Sequence, residues 1–223
     1  KIVSRCDLVY CRDSISASEL KNIVSKVKWM GDLSMFHPTK SANMDRSGIT
    51  VSCSVSSKVT RKLGLFAYMV GAEFVPITKS LSIGTPGVFR KSKLLKSFFD
   101  KRASRSFFEK NPSAYLLASH SDYIDHLQRK SLLVTGRFHA ACLSILTKTP
   151  FIATNSNSWK IEALVSDVGL DPKRVQPLGK LSKSFQGESH WQYSEQELSN
   201  IESALTSWRS DGNVLFNKIS GLF

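Results

Sequence analysis

Short apolar runs alternate with amphipathic stretches along most of the chain, separated by brief polar breaks. Leu132-Leu133-Val134 has the length of a strand buried on both faces. Thr135 and Gly136 interrupt it, and Arg137-Phe138-His139 enters a stretch from Ala140 to Leu146 with almost no polar face, which predicts a buried helix. Thr149-Pro150 ends that helix, and Phe151-Ile152-Ala153 reads as the next parallel strand. A polar loop over residues 154–158 then delivers Lys160 at the start of a further helix.

The same reading extends over the rest of the chain. Residues 8–11 predict a strand, and Ser16-Ala17-Ser18-Glu19 a capping box opening a helix to about Lys26. A strand over 27–30 stops at Gly31-Asp32, and residues 38–47 read as a polar linker. Strands are then expected at 49–55, 73–77 and 114–118, with helices at 58–70, 92–108 and 121–129 and a Ser/Gly/Pro-rich loop at 78–87. Beyond Leu164 the helix runs to Leu170, and a strand fragment lies around Val175. Residues 180–193 are polar and aromatic; packing is the heavier reading of His190-Trp191-Gln192-Tyr193, sugar stacking the lighter. Ser194-x-x-Glu197 caps a helix over 198–208, and a last helix covers 213–222. Strands alternating with helices predict an α/β fold, a doubly wound parallel sheet.

The 223 residues suffice for one large domain, or one domain plus a fragment. No run approaches the roughly 18 apolar residues of a membrane span, so no span is expected, and the front does not read as a secretory leader. The chain starts at Lys1 rather than Met, so a preceding segment is expected. Cys6, Cys11, Cys53 and Cys142 have neither CxxC spacing nor nearby His, which predicts no zinc site. Cys53 and Cys142 sit in apolar elements, as buried thiols of a reducing, cytoplasmic compartment would. Lys and Arg exceed Asp and Glu by 31 − 18 = 13. This excess favours anionic partners. Without an RNP-like motif, zinc finger or KH loop beside it, nucleic acid is the minority reading and an anionic substrate the main one.

Ligands of open parallel sheets bind beyond the strand C-termini, where Arg137, His139 and Lys160 are all expected. Helix N-termini bind anions through free amides and the dipole, and disfavour cations unless an anion is present. Taken singly, Arg137 reads as a surface cation, His139 as a core histidine and Lys160 as an exposed helix residue. Together they read as a site for a small, multiply charged anion. His139, in the first turn of an apolar helix, is expected to be shielded from water. His120, in the turn before the helix at 121–129, reads as a loop or cap residue rather than a ligand.

The span from Thr135 to Leu164, with Arg137-Phe138-His139, an apolar helix, Pro150 before a strand and Lys160-Ile161 downstream, resembles the C-terminal signature of the polysaccharide pyruvyl transferases. Asp7 to Ser16, containing Arg12-Asp13-Ser14-Ile15-Ser16, resembles that family's RDxxS segment. Gly31 to Phe36 is a third match, with Leu33 where the family usually has proline.

The resemblance implies a GT-B-like architecture. Residues 1–40 would be the remnant or last unit of an N-terminal α/β domain, and 48–223 a C-terminal Rossmann-like domain. It implies transfer of a pyruvyl group from phosphoenolpyruvate to two hydroxyls of a glycan acceptor, giving a cyclic ketal and phosphate, with no metal or cofactor required. Arg12, Arg137 and Lys160 would bind the donor; His139 would be the catalytic proton-transfer group, with Asp13 or Asp32 as a second. Two alternatives stay open. One is a GT-B glycosyltransferase using a nucleotide sugar, with Glu162 contacting ribose. The other is a non-catalytic binding or scaffold domain, suggested by the short N-terminal half.

Overall fold

The computed structural model describes residues 6, 8–39, 45–78, 81, 92–154 and 158–221. Its centre is a five-stranded, wholly parallel sheet of β3 (Ile49–Ser54), β4 (Glu73–Phe74), β5 (Leu132–Gly136), β6 (Phe151–Thr154) and β7 (Val175–Gln176), in the order β4-β3-β5-β6-β7. Every residue of β5 and β6 is buried. In β5, Leu132 and Val134 join one core while Leu133 joins the other, the period-two alternation of a sheet covered on both faces. One face carries α2 (Ser57–Met69), α3 (Lys93–Glu109) and α7 (Leu178–Ser184); the other carries α4 (His120–Gln128), α5 (Phe138–Leu146), α6 (Lys160–Val168) and α8 (Glu195–Ser220). This is a doubly wound, Rossmann-like α/β fold.

Within this sheet the strands run 2-1-3-4-5 when counted in chain order, so the winding reverses between β3 and β5. That reversal opens a crevice at the strand C-termini. Gly136 sits there because a Cβ would lie 2.6 Å from Ser54 Cβ and 2.9 Å from Thr154 Oγ1.

The N-terminal residues form a separate two-stranded parallel sheet, β1 (Val9–Cys11) with β2 (Val27–Trp29), joined by α1 (Ser14–Lys21). It does not stand apart. Met30 and Met35 belong to the same core as α5, α6 and α8, and Asp167 of α6 accepts hydrogen bonds from Ser14 N (3.0 Å) and Ser14 Oγ. Two glycines let α8 cross this unit: a Cβ on Gly31 would lie 2.2 Å from Trp208, and one on Gly212 would lie 2.1 Å from Phe36.

Several expectations change. Asp13, not Ser16, caps α1, because its carboxylate accepts from Ser16 N (2.7 Å) and Ser16 Oγ (2.9 Å); the helix then ends at Lys21. Pairing at 73–77 stops at Phe74, two residues before Pro76, which has no amide hydrogen. The strand expected at 114–118 is one bridge, Phe74 to Ala114, at the sheet edge. Residues 178–184, of which 180–184 fall in the stretch read as polar, form α7 through buried Leu178 and Leu181. The two C-terminal helices expected are one, Glu195–Ser220, which passes through Gly212 where Phe36 packs closely. The Ser194–Glu197 capping box forms as expected. Tyr193 packs, its OH donating to Thr149 O and its ring beneath Arg174. Most of the loop at 78–87, part of the linker at 38–47, residues 155–157 and Asp7 lie outside the described residues. Among the described residues no helix is long and apolar enough to cross a membrane.

Candidate active site

A cavity of about 620 Å³ opens at the C-terminal edge of the sheet. Its walls come from four places: the 3-10 turn Leu33–Phe36 and the flanking Asp32 and His37, the end of the β4 segment at Ile77 and Thr78, the start of α4 at His120, and the start of α5 at Arg137 and His139. Leu33, Phe36, Ile77, Ile124 and Leu143 make much of the lining apolar. Polar chemistry is thus confined to a few convergent groups, as in many small-molecule sites.

Arg137 is the N-cap residue of α5, yet its side chain makes no capping bond; its backbone amide donates to Thr135 Oγ1 at 3.0 Å. Its Nε is buried without a hydrogen-bond partner among the described residues. By contrast, side chains cap α1, α2, α3, α4 and α8, through Asp13, Ser56, Ser92, Ser119 and Ser194. α5, α6 and the short α7 have no such cap. Uncapped first-turn amides need an acceptor, which an anion supplies.

Asp32 organises the neighbouring cluster. One carboxylate oxygen accepts from Ser34 N at 3.0 Å; the other lies 3.5 Å from the Arg12 guanidinium and 3.6 Å from His139 Nε2. Arg12 also lies over the Phe138 ring, 4.7 Å from its centroid. The His139 side chain is 58 % exposed, so the shielded ring expected from the apolar helix is not found. The reason is position: at the second residue of α5 it projects past the sheet edge while the residues after it turn inward. Cys142, on that inward face, has its thiol pushed well up by burial and by the charge of Asp32. It is an inert core thiol.

The structure therefore brings Arg12, Arg137 and His139 to one end of the sheet, with Asp32 between Arg12 and His139. Lys160 starts α6, half-buried, and is not among the residues lining the cavity. Asp13 is 3 % exposed, with its oxygens engaged by Ser16. Asp32 is the carboxylate that faces the cavity. Glu162 lines a different surface depression with Val165, Pro172 and Val175. Sequence reasoning passed over His37, between the Gly31–Phe36 segment and the linker at 38–47, and set His120 aside as a cap residue. The signal for both was adjacency: His37 follows the Asp32 motif, and His120 follows a predicted strand.

Fold and cavity together define a Rossmann-like α/β protein with an arginine- and histidine-bearing crevice at the C-terminal edge of its sheet. The family model of the polysaccharide pyruvyl transferases matches residues 1–158, and the chain belongs to that family, a family of transferases. The match covers the Arg12, Asp32 and Arg137–His139 segments and stops two residues short of Lys160. No curated protein matches the chain significantly.

Proposed function

We propose that the chain transfers the pyruvyl group of phosphoenolpyruvate onto two hydroxyls of a glycan, forming a cyclic ketal and releasing phosphate. The observation that carries this reading is Arg137: a guanidinium whose buried Nε has no partner among the described residues, at a helix N-terminus without a side-chain cap, in the same cavity as His139 and Asp32. The donor has a carboxylate and a phosphate close together, and a guanidinium grips either one bidentately. In this reading Arg137 and the α5 amides hold one anionic group, and Arg12 releases Asp32 to meet the other. His139 acts as the acid, with the Asp32 carboxylate 3.6 Å from its Nε2. The apolar walls at Ile77, Ile124 and Leu143 suit the donor's methylene carbon, which becomes a methyl group.

Thermal unfolding with phosphoenolpyruvate tests the binding step, because a ligand bound only by the folded state raises the melting temperature. A rise with phosphoenolpyruvate exceeding that with a nucleotide sugar supports the reading. Stabilisation by the nucleotide sugar alone would replace it with a glycosyltransferase. Phosphate release on adding glycan acceptors tests the chemistry.

A further inference from the structure

Ketal formation needs a base for the attacking hydroxyl as well as an acid for the donor. With His139 opposite Asp32, the base must come from another wall of the cavity. We infer that His37 is this base, accepting the proton of the acceptor hydroxyl at Nε2; the inference rests on the function proposed above.

The support is a hydrogen bond that settles the tautomer. His37 Nδ1 lies 2.8 Å from the carbonyl oxygen of Pro38. A carbonyl can only accept, so Nδ1 carries the hydrogen, and in the neutral ring Nε2 is left with its lone pair. A base whose far nitrogen is anchored by a hydrogen bond has the tautomer and orientation needed for general-base catalysis. His37 is half-buried and lines the cavity that His139 and Arg137 also line. It is held there by the structure that precedes it. Asp32 caps the 3-10 turn that precedes it, and Phe36 packs edge-on against Phe216 at 6.3 Å and over Gly212. The turn therefore supplies the acceptor side of the cavity, and the α5 N-terminus the donor side.

The acceptor hydroxyl loses its proton to His37 Nε2 as its oxygen bonds to carbon 2 of phosphoenolpyruvate. The electrons of the carbon 2–carbon 3 double bond take a proton from His139 at carbon 3, giving a methyl group. A second hydroxyl of the same sugar then bonds to carbon 2 as the carbon–oxygen bond to phosphate breaks. Its proton leaves with the phosphate, and proton exchange with water restores both histidines.

The test compares the wild-type chain with His37→Gln and His37→Ala. Phosphate release from phosphoenolpyruvate is assayed with methyl glycosides of common hexoses and N-acetylhexosamines, and the phosphoenolpyruvate-induced thermal shift is measured in parallel. The expected result is a loss in kcat of about 100-fold in His37→Gln, with the thermal shift unchanged. The acidic limb of the kcat/KM–pH profile should disappear, and added imidazole should restore part of the turnover of His37→Ala. Near wild-type kcat in His37→Gln with the acidic limb retained would overturn the assignment. So would a loss of thermal shift matching the loss of rate, since His37 would then serve donor binding. Absence of both thermal shift and phosphate release in the wild-type chain overturns the parent reading itself, which separates the two failures.

Discussion

Where α8 crosses the sheet, Arg174 grips Glu197 through both ends of its guanidinium, at 2.7 and 2.8 Å, while at the cavity Arg12 reaches Asp32 through a single 3.5 Å contact. Every remaining donor direction of Arg174 is used: it donates to the carbonyls of Phe151, Trp191 and Gln192 and lies 4.3 Å over the Tyr193 ring. Glu197 in turn accepts from the amides of Ser194 and Asp171. Burial pushes the Glu197 carboxyl upward, but the Arg174 guanidinium and those amides outweigh it and hold the group down at about 2. Both side chains are nearly inaccessible, at 4 % and 11 %. At the cavity the Arg12 side chain is 37 % exposed, His139 is open to water, and Arg137 keeps a buried Nε unsatisfied. A charged group that is fully satisfied by the fold has nothing left to offer a ligand. The unsatisfied groups are those that a bound anion would complete.

Breaking each region should therefore give opposite signatures. The largest effect belongs to Glu197→Gln, which leaves Arg174 charged and buried without its partner. Stability in urea should fall by about 3–5 kcal/mol. The same pair sets an acid limit. The carboxyl is lowered in the folded chain relative to its ordinary value of 4.5, so its contribution is full above about pH 4.5 and is lost as pH falls towards 2. Acid unfolding followed by circular dichroism should show that loss in the wild type and a shallower acid slope in Glu197→Gln.

His139→Gln should do the reverse. With its ring exposed, the substitution should leave the melting temperature nearly unchanged while turnover falls by about 100-fold. Near-normal turnover would remove His139 from the chemistry and end the contrast on the cavity side.

Arg137→Ala comes next: phosphoenolpyruvate affinity should weaken by about 1.5–3 kcal/mol, the range for a charge-assisted contact. Arg137→Lys should recover little of it, because an ammonium cannot reproduce a two-pronged grip. Full recovery in the lysine variant would show that charge alone matters there.

The smallest stability effect is expected for Arg12→Met. Its long, half-exposed contact to Asp32 should contribute less than about 1 kcal/mol to folding, measurable as a small shift in the urea midpoint. A loss as large as that of Glu197→Gln would make Arg12 a structural residue like Arg174.

Much of this protein was legible one element at a time. Unbroken apolar runs marked β5 and β6, the 3.6-residue period marked α2 and α4, and Ser194 with Glu197 marked the start of α8, because each depends on neighbours within a few residues. The Arg137–His139 triplet was also legible, since a glycine break between a strand and a helix sets its place. Other features depended on distant partners. The sequence offered two helices, at 198–208 and 213–222, where the fold has one, with Phe36, far away in sequence, filling the space beside Gly212. Asp13 and Asp32 were equivalent candidates until the fold turned one onto Ser16 and the other towards His139. Local period and composition govern strands, helices and caps, so the positions of charge, protons and apolar surface could be read along the chain. Which of those groups are satisfied internally and which face the cavity depends on contacts between distant segments, and these appear only in the fold.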